Sequence, residues 1–515
     1  MAAQYLGSVY NGWSKIVAKP QRDNGVSSVK KRYAMKTIVL LVVTALLVFT
    51  AACSSGKSGG SEPGATASGS PESSQTPGSE SASPANGSFD WKQYSGQEID
   101  VLLNQHPYAE AIIARLPEFE KLTGIKVKYS ITPEENYFDK LTTALNARNG
   151  NPDVFMTGSY QLWEYAPAEY VQELDSFLKD PSKTSPDYDL NDIYKGILDG
   201  DRWDLVPGHP VGTGSLWALP LGFETNVLVY NKRALDSIGA QPPKTFDELI
   251  ALGEKLNGWN GDGSYGVAVR GTRSWATIHP GYMTAFSMSG AKDFEIQDGK
   301  LVSKVDSPEA IEITKKFAEL VKKAGPKDWT NYTWYQASSD LGAGKAAIAF
   351  DADIFAIFQG SKGASKEAGN LGTAPPPIVK EGQAVGANEW IWSIAMNNAS
   401  KKKDAAWLFM QYFTGKEHTL WGATQASVFN PIRASVWENP DFLKRIAEFP
   451  GYEDTFKAII DNTSIKFTPQ PEFFNTTTEW AAALQDIVTG KSDAETRMKQ
   501  LAKDINKRVE RIRTE

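Results

Sequence analysis

The sequence predicts an α/β protein of two domains, and three observations carry that prediction. Roughly 425 residues of mixed polar and apolar sequence follow Phe89, beyond the ~250–300 at which one hydrophobic core stops growing. Within them, short apolar runs of strand length alternate with longer stretches of helical period, a pattern that argues α/β lobes with largely parallel sheets. Apolar residues make up 41% of the chain and aromatics 11%. That supply can build a large core without disulfides, which are excluded because Cys53 is the only cysteine.

Taken in order, Glu98–Leu103 (EIDVLL) reads as a strand and Tyr108–Leu122 as a helix containing Pro117. Gly124 ends that helix, Ile125–Tyr129 (IKVKY) alternates as a second strand, and Asp153–Met156 forms a third. Thr245 and Glu248 have capping-box spacing ahead of Leu249, Leu252 and Leu256. Residues 260–264 (NGDGS) read as a turn into a strand at Tyr265–Arg270. A calcium loop would need a glutamate at its twelfth position, and that position is Gly271. Ser307 and Pro308 open a helix with an apolar face of Ala310, Ile313, Phe317 and Leu320, and Gly325-Pro326 stops it. Ala346–Phe350 is an apolar strand, and Ser400–Phe413 a helix with Gly415 just beyond. His106, His209, His279 and His418 fit no metal-binding spacing, so no metal or cofactor is expected.

The N-terminus gives an address. Lys30, Lys31, Arg32 and Lys36 precede an apolar stretch from Thr37 to Ala52, the pattern of a secretory leader. That stretch is shorter than the ~20 residues that span a bilayer. Residues 1–52 are therefore read as a leader, with Met35 a candidate translation start. Ala51-Ala52-Cys53-Ser54 resembles the lipobox of bacterial lipoproteins, departing from it at Thr50, where that motif carries leucine. The resemblance implies acylation of Cys53. Residues 53–88 then comprise the lipidated cysteine and a linker of almost only Ser, Gly, Pro, Ala, Thr and Glu. Such a stretch buries no apolar surface and acts as a tether with a reach of about 30–35 Å. The expected location is outside the cell, held by lipid to the outer face of the cytoplasmic membrane. Residues 53–515 hold 47 Lys and Arg against 60 Asp and Glu, a formal −13. Nucleic-acid binding rests on counterion release by basic side chains, so this balance argues against it.

Several segments, in shared order over roughly 97–440, resemble the family 1 extracellular solute-binding proteins that serve ABC importers. They are Phe119–Lys128 (FEKLTGIKVK), Tyr137–Leu145 (YFDKLTTAL) and Asn151–Met156 (NPDVFM), then Leu219–Lys232 (LPLGFETNVLVYNK) and Pro243–Leu249 (PKTFDEL). Gly344–Phe350 (GKAAIAF) and the stretch from Trp392 through Trp407 follow. Arg270-Gly271 and Trp390-Ile391-Trp392 are most similar to the sugar-alcohol and monosaccharide receptors within that family, which also includes maltose receptors. The resemblance implies two discontinuous α/β lobes joined by a hinge, with a ligand cleft between them. One lobe is expected from 97–227 plus 342–385, the other from 231–340 plus 390–515. The crossings are expected near Asn226–Asn231, Asp340–Gly342 and Gly386–Glu389. It also implies capture of a carbohydrate by hinge closure and delivery to the importer's permease subunits, with no catalysis. A monomer is expected, because a tethered binder with a moving cleft needs no partner subunit.

A sugar or polyol presents apolar C–H faces and a rim of hydroxyls, so its site needs flat aromatic platforms and paired donors and acceptors. Tyr160, Trp163, Trp275, Trp390 and Trp392 are the aromatic candidates. Trp390 and Trp392 are expected on opposite sides of their strand, one lining the cleft and one packing inside. Asn104, Gln105 and His106 lie just past the first strand's carboxyl end, where open α/β sheets place ligands. Glu224, Arg270, Asp351, Asn430 and Arg433 complete the polar candidates, each with an ordinary alternative as a surface group or structural ion pair. Three rival functions stay open on the residues alone. An exported glycoside hydrolase would pair Glu134 with Glu135 or Asp351 with Asp353. A receptor of the same fold for a non-sugar solute would draw on Arg270, Arg273 and Arg433 for an anion, and an adhesive lipoprotein would bind no small molecule.

Overall fold

The longest strand among the described residues, Leu219–Asn231, is the one around which the molecule is organised. The structure, a computed structural model, describes residues 88–515. The leader, Cys53 and the linker through residue 87 lie outside the described residues.

The strands of the large sheet are β1 (Glu98–Asn104), β2 (Lys126–Thr132), β3 (Val154–Gly158), β4 (Leu219–Asn231), β5 (Tyr265–Ala268), β6 (Ala346–Ala352), β7 (Leu371–Ala374) and β8 (Glu389–Met396). Their order is β2–β1–β3–β8–β4–β6–β5, with β7 also on β4. All of β4 is buried except Tyr230. Its first half pairs with β8, ending where Thr225 faces Glu389. From Asn226, which faces Ala352, it pairs with β6 instead, and Leu228–Asn231 pair with β7. One strand thus passes from one lobe into the other. The exchange of partners falls on Glu224-Thr225-Asn226, a polar triplet inside an otherwise apolar run.

Two expectations are corrected by these pairings. β1–β2, β1–β3 and β6–β5 are parallel, as alternating strands and helices predict, but every pairing of β4 and β8 with a neighbour is antiparallel. The sheet is mixed because β4 runs through both lobes and β8 follows a return crossing, so neither is bound to the parallel geometry of a helical crossover. The second correction concerns which segments go together. Residues 342–385, expected with 97–227, supply β6 and β7, which pair with the second half of β4 and with β5. Residues 390–396, expected with 231–340, belong to β8, which pairs with β3 and the first half of β4. Asp340–Gly342 is no crossing either. It ends the helix Trp334–Gly342, and Asp340 accepts hydrogen bonds from the Tyr265 and Tyr332 hydroxyls.

Local signals set the helices that frame the strands. α1 (Pro107–Thr123) keeps Pro117 within it and stops at Gly124, whose φ of 73° is the left-handed cap only glycine adopts freely. α2 (Glu134–Asn146) and α3 (Ser159–Tyr165) follow β2 and β3. The Thr245/Glu248 capping box opens α4 (Phe246–Lys255), and Ser307 caps α5 (Pro308–Ala324), which Gly325 ends. α6 (Lys403–Phe413) buries Trp407, Phe409 and Phe413, and α7 (Phe473–Val488) packs on α5. Residues 260–264 form the expected turn, with Ser264 N–H donating to Gly261.

Candidate functional site

The carboxyl end of β1, the middle of β4 and the start of β8 converge on one cluster. β1 stops at Asn104, Gln105 is exposed, and His106 caps α1. The His106 Nδ1 accepts from the Tyr108 N–H at 3.4 Å, while Nε2 lies 3.7 Å from Glu224 Oε1. Trp392 Nε1 donates to the same Glu224 oxygen at 3.2 Å. The Trp392 ring lies 5.1 Å from that of His106, and Phe138 of α2 runs parallel to it at 6.1 Å. Trp390 meets Trp392 edge-on at 5.2 Å, and Trp275 lies 5.3 Å from Trp390. The two β8 tryptophans are therefore on one face, not on opposite faces as expected. Strand residues two apart point the same way.

The charged half of the cluster comes from the other lobe. Arg270, two residues beyond β5, donates through Nε and Nη2 to both carboxylate oxygens of Asp351, at 2.9 and 2.6 Å. Its Nη1 donates to the Ala276 carbonyl at 3.2 Å and lies 3.1 Å from His279 Nε2. Burial works against the guanidinium charge, but Asp351 outweighs burial, and Glu224 and Glu134 add to it, so the pKa is raised. His279 is buried, and burial and the neighbouring arginine push its pKa well down. Arg270 keeps 6% of its surface exposed and Glu224 8%. The arrangement offers a carboxylate acceptor, cationic and imidazole N–H groups, and flat aromatic walls.

Other sequence candidates stand behind this cluster or apart from it. Tyr160 is buried under the aromatic wall, 5.3 Å from Trp390, and its hydroxyl donates to the Glu389 carbonyl at 2.7 Å. Trp163 is core, packed on Tyr160 and Phe473. Asn104 is fully buried, its side-chain amide without a partner among the described residues. Arg433 is fully buried in a separate network, donating to the carbonyls of Thr414 and Asp189. Asn430 is bonded to the carbonyl of Phe223, the residue before Glu224, and to Asp353. Asp351 and Asp353, paired in the hydrolase reading, are held by different partners, Arg270 for the first and Thr225 with Asn430 for the second. Burial pushes Asp353 up to about 7, against its Thr225 and Asn430 hydrogen bonds.

Phe138, His279 and Asn388 were not singled out in the sequence. Phe138 had a signal, since adjacent Tyr137 and Phe138 on a helix point one ring inward and leave the other half-buried. Asn388 ties the lobes at the β8 crossing, donating to the His279 carbonyl at 2.6 Å and to the Tyr160 hydroxyl at 3.2 Å. His279 had none, because its place behind Arg270 arises only in three dimensions.

Residues 104–419 match the model of the bacterial extracellular solute-binding protein family. An erythritol/L-threitol-binding protein from Mycolicibacterium smegmatis is 42% identical over 425 residues, covering 82% of this chain and 88% of that protein. A mannitol-binding protein from Pseudomonas aeruginosa is 25% identical over 315 residues, covering 60% of this chain and 67% of its own. Among solved structures, an ABC transporter solute-binding protein from Agrobacterium vitis S4 with bound D-mannitol superposes with a TM-score of 0.67 at 22% identity. It covers 81% of this chain and 99% of that one.

Proposed function

This chain belongs to the bacterial extracellular solute-binding protein family, and we propose that its solute is a short acyclic polyol, foremost a four-carbon tetritol, delivered to an ABC importer. The observation that carries the reading is the meeting of Glu224 and His106 with the Trp275–Trp390–Trp392 wall, to which Arg270 is joined through His279. A tetritol has four hydroxyls on a thin carbon chain. The tryptophans cover its C–H faces, the Glu224 carboxylate accepts from hydroxyls, and Arg270 and His106 donate. The identity to the erythritol/L-threitol-binding protein supports the four-carbon length. Capture closes the two lobes about the crossings in β4 and between β7 and β8, bringing Arg270 towards Glu224.

The protein is exported, as its family is extracellular. Acylation at Cys53 then holds it beside the permease, and it works as a monomeric binder without catalysis. Fatty-acid analogue labelling of wild type, lost in Cys53→Ser, tests the anchor. Calorimetry and thermal shift with erythritol, threitol, mannitol, maltose, amino acids and amines test the solute, because a ligand of the folded state raises its melting point. Binding of a tetritol ahead of mannitol and maltose is expected. A response only to amino acids or amines, or cleavage of an oligosaccharide that Asp351→Ala abolishes, refutes the reading.

A further inference from the structure

We propose that Asn430 is a positioning residue for Glu224, an inference that rests on the tetritol reading and assigns Asn430 no ligand contact of its own. Glu224 sits at the partner exchange of β4, where the regular ladder of hydrogen bonds changes sides. Its backbone is clamped on both flanks by buried groups from distant segments. On one flank the Phe223 carbonyl accepts from Asn430 Nδ2 at 2.9 Å and faces the Tyr108 hydroxyl at 3.5 Å. On the other flank Asp353 accepts from the Thr225 hydroxyl at 2.7 Å and its N–H at 3.3 Å, and returns its own N–H to the Thr225 carbonyl at 2.9 Å.

Asn430 joins the two flanks. The amide nitrogen that holds Phe223 lies 3.0 and 2.9 Å from the two Asp353 oxygens, and its oxygen accepts from the Tyr452 hydroxyl at 2.5 Å. Asn430 is fully buried and sits at φ 56°, in the left-handed region that asparagine tolerates better than most residues. The loop thus accepts an unusual backbone geometry at a residue whose amide is fully used. The Tyr108 hydroxyl also donates to the neighbouring Phe429 carbonyl at 3.1 Å, fixing the loop to α1. The consequence is that the Glu224 carboxylate is held at the Trp392 indole before any solute arrives.

The variant Asn430→Gly removes the amide while suiting the positive φ, and Tyr452→Phe removes only the hydroxyl that orients it. Each is made in the full chain, alone and with Glu224→Gln, and erythritol binding is measured by calorimetry. Asn430→Gly weakens binding at least about tenfold, the scale of one lost hydrogen bond to a charged group. In the Glu224→Gln background the same change alters Kd less than about twofold, because coupled residues are not additive. In ligand-free protein the Trp392 indole N–H resonance, identified by its loss in Trp392→Phe, shifts in Asn430→Gly and in Tyr452→Phe. Equal weakening in both backgrounds with an unmoved Trp392 resonance marks a merely structural role and overturns the proposal. If wild type gives no heat with erythritol, the solute reading falls, and the indole resonance alone decides for or against positioning. If Glu224→Gln binds as wild type does, Glu224 is no solute contact and the proposal falls with it.

Discussion

Replacing Glu389 with glutamine should flatten the pH dependence of stability. Glu389 opens β8 at the crossing, is fully buried, and neither of its carboxylate oxygens has a hydrogen-bond partner among the described residues. Burial pushes its pKa up to about 8; Lys466 opposes the shift, and Asp201 and Asp199 reinforce it. An unperturbed glutamate titrates near 4.5. This side chain's share of stability is therefore whole below that pH and is lost as pH rises towards 8, because the unfolded chain has released a proton that the folded one still holds. The loss is about 1.4 kcal/mol per pH unit, or ~4 kcal/mol between pH 5 and 8. Asp201, also raised by burial to about 7, adds a similar slope at lower pH that the substitution leaves in place. The amide of Glu389→Gln adds a constant offset, so the slope is what is read. Urea unfolding of wild type and Glu389→Gln at pH 5, 6, 7 and 8 should give a gap that changes by ~4 kcal/mol across the series. Parallel curves for the two proteins would refute the buried, proton-bearing Glu389.

Asp351→Ala leaves Arg270 charged and buried without its partner, and is expected to cost about 3–5 kcal/mol in denaturant unfolding; a loss under about 1 kcal/mol contradicts the pairing. Trp390→Ala should weaken tetritol binding by about 2 kcal/mol, roughly 30-fold by calorimetry, and unchanged affinity would remove Trp390 from the wall. Thr245→Ala breaks the box in which Thr245 Oγ1 accepts from Glu248 N–H at 3.2 Å and Glu248 returns a bond at 3.1 Å. It should cost about 1 kcal/mol of stability and leave affinity unchanged, since α4 carries no cleft residue.

What could be read from the sequence was local chemistry. Gly124 ends α1 because its left-handed φ is open to glycine, and the Thr245/Glu248 and Ser307 caps are side-chain-to-backbone bonds within four residues. Each signal lies inside the element it defines, so reading and structure agree to within a few residues. His106 and Glu224 lie 3.7 Å apart because one follows the carboxyl end of β1 and the other sits in the middle of β4. Arg433 and Asn430 show the opposite case. Each is a polar residue in a proline-containing loop, which reads as exposed. Their partners Thr414, Asp189, Phe223 and Asp353 lie 19 to 244 residues away, and burial is decided by those partners.

Two of the corrections to the strands differ in kind. The placing of Trp390 and Trp392 on opposite faces broke a rule that needs no structure, because residues two apart on a strand always share a face. Applied correctly, the rule makes Trp390-Ile391-Trp392 a two-ring platform backed by Ile391, Ser393 and Glu389 on the reverse side, where Ser393 bonds Asp201 at 2.9 Å. The apportioning of 342–385 and 390–396 broke no local rule. β6 and β8 are both short, apolar and fully buried, so nothing within either strand states which half of β4 it joins. That choice is legible only in β4 itself, where Glu224-Thr225-Asn226 interrupts the apolar run. Buried polar side chains are kept where they have partners to satisfy. Here the partners are Trp392 for Glu224, Asp353 for Thr225 and the Thr284 hydroxyl for Asn226. A polar triplet in the middle of a buried strand thus marks where a sheet changes partners, and under the proposed function that is where the hinge and the solute site meet.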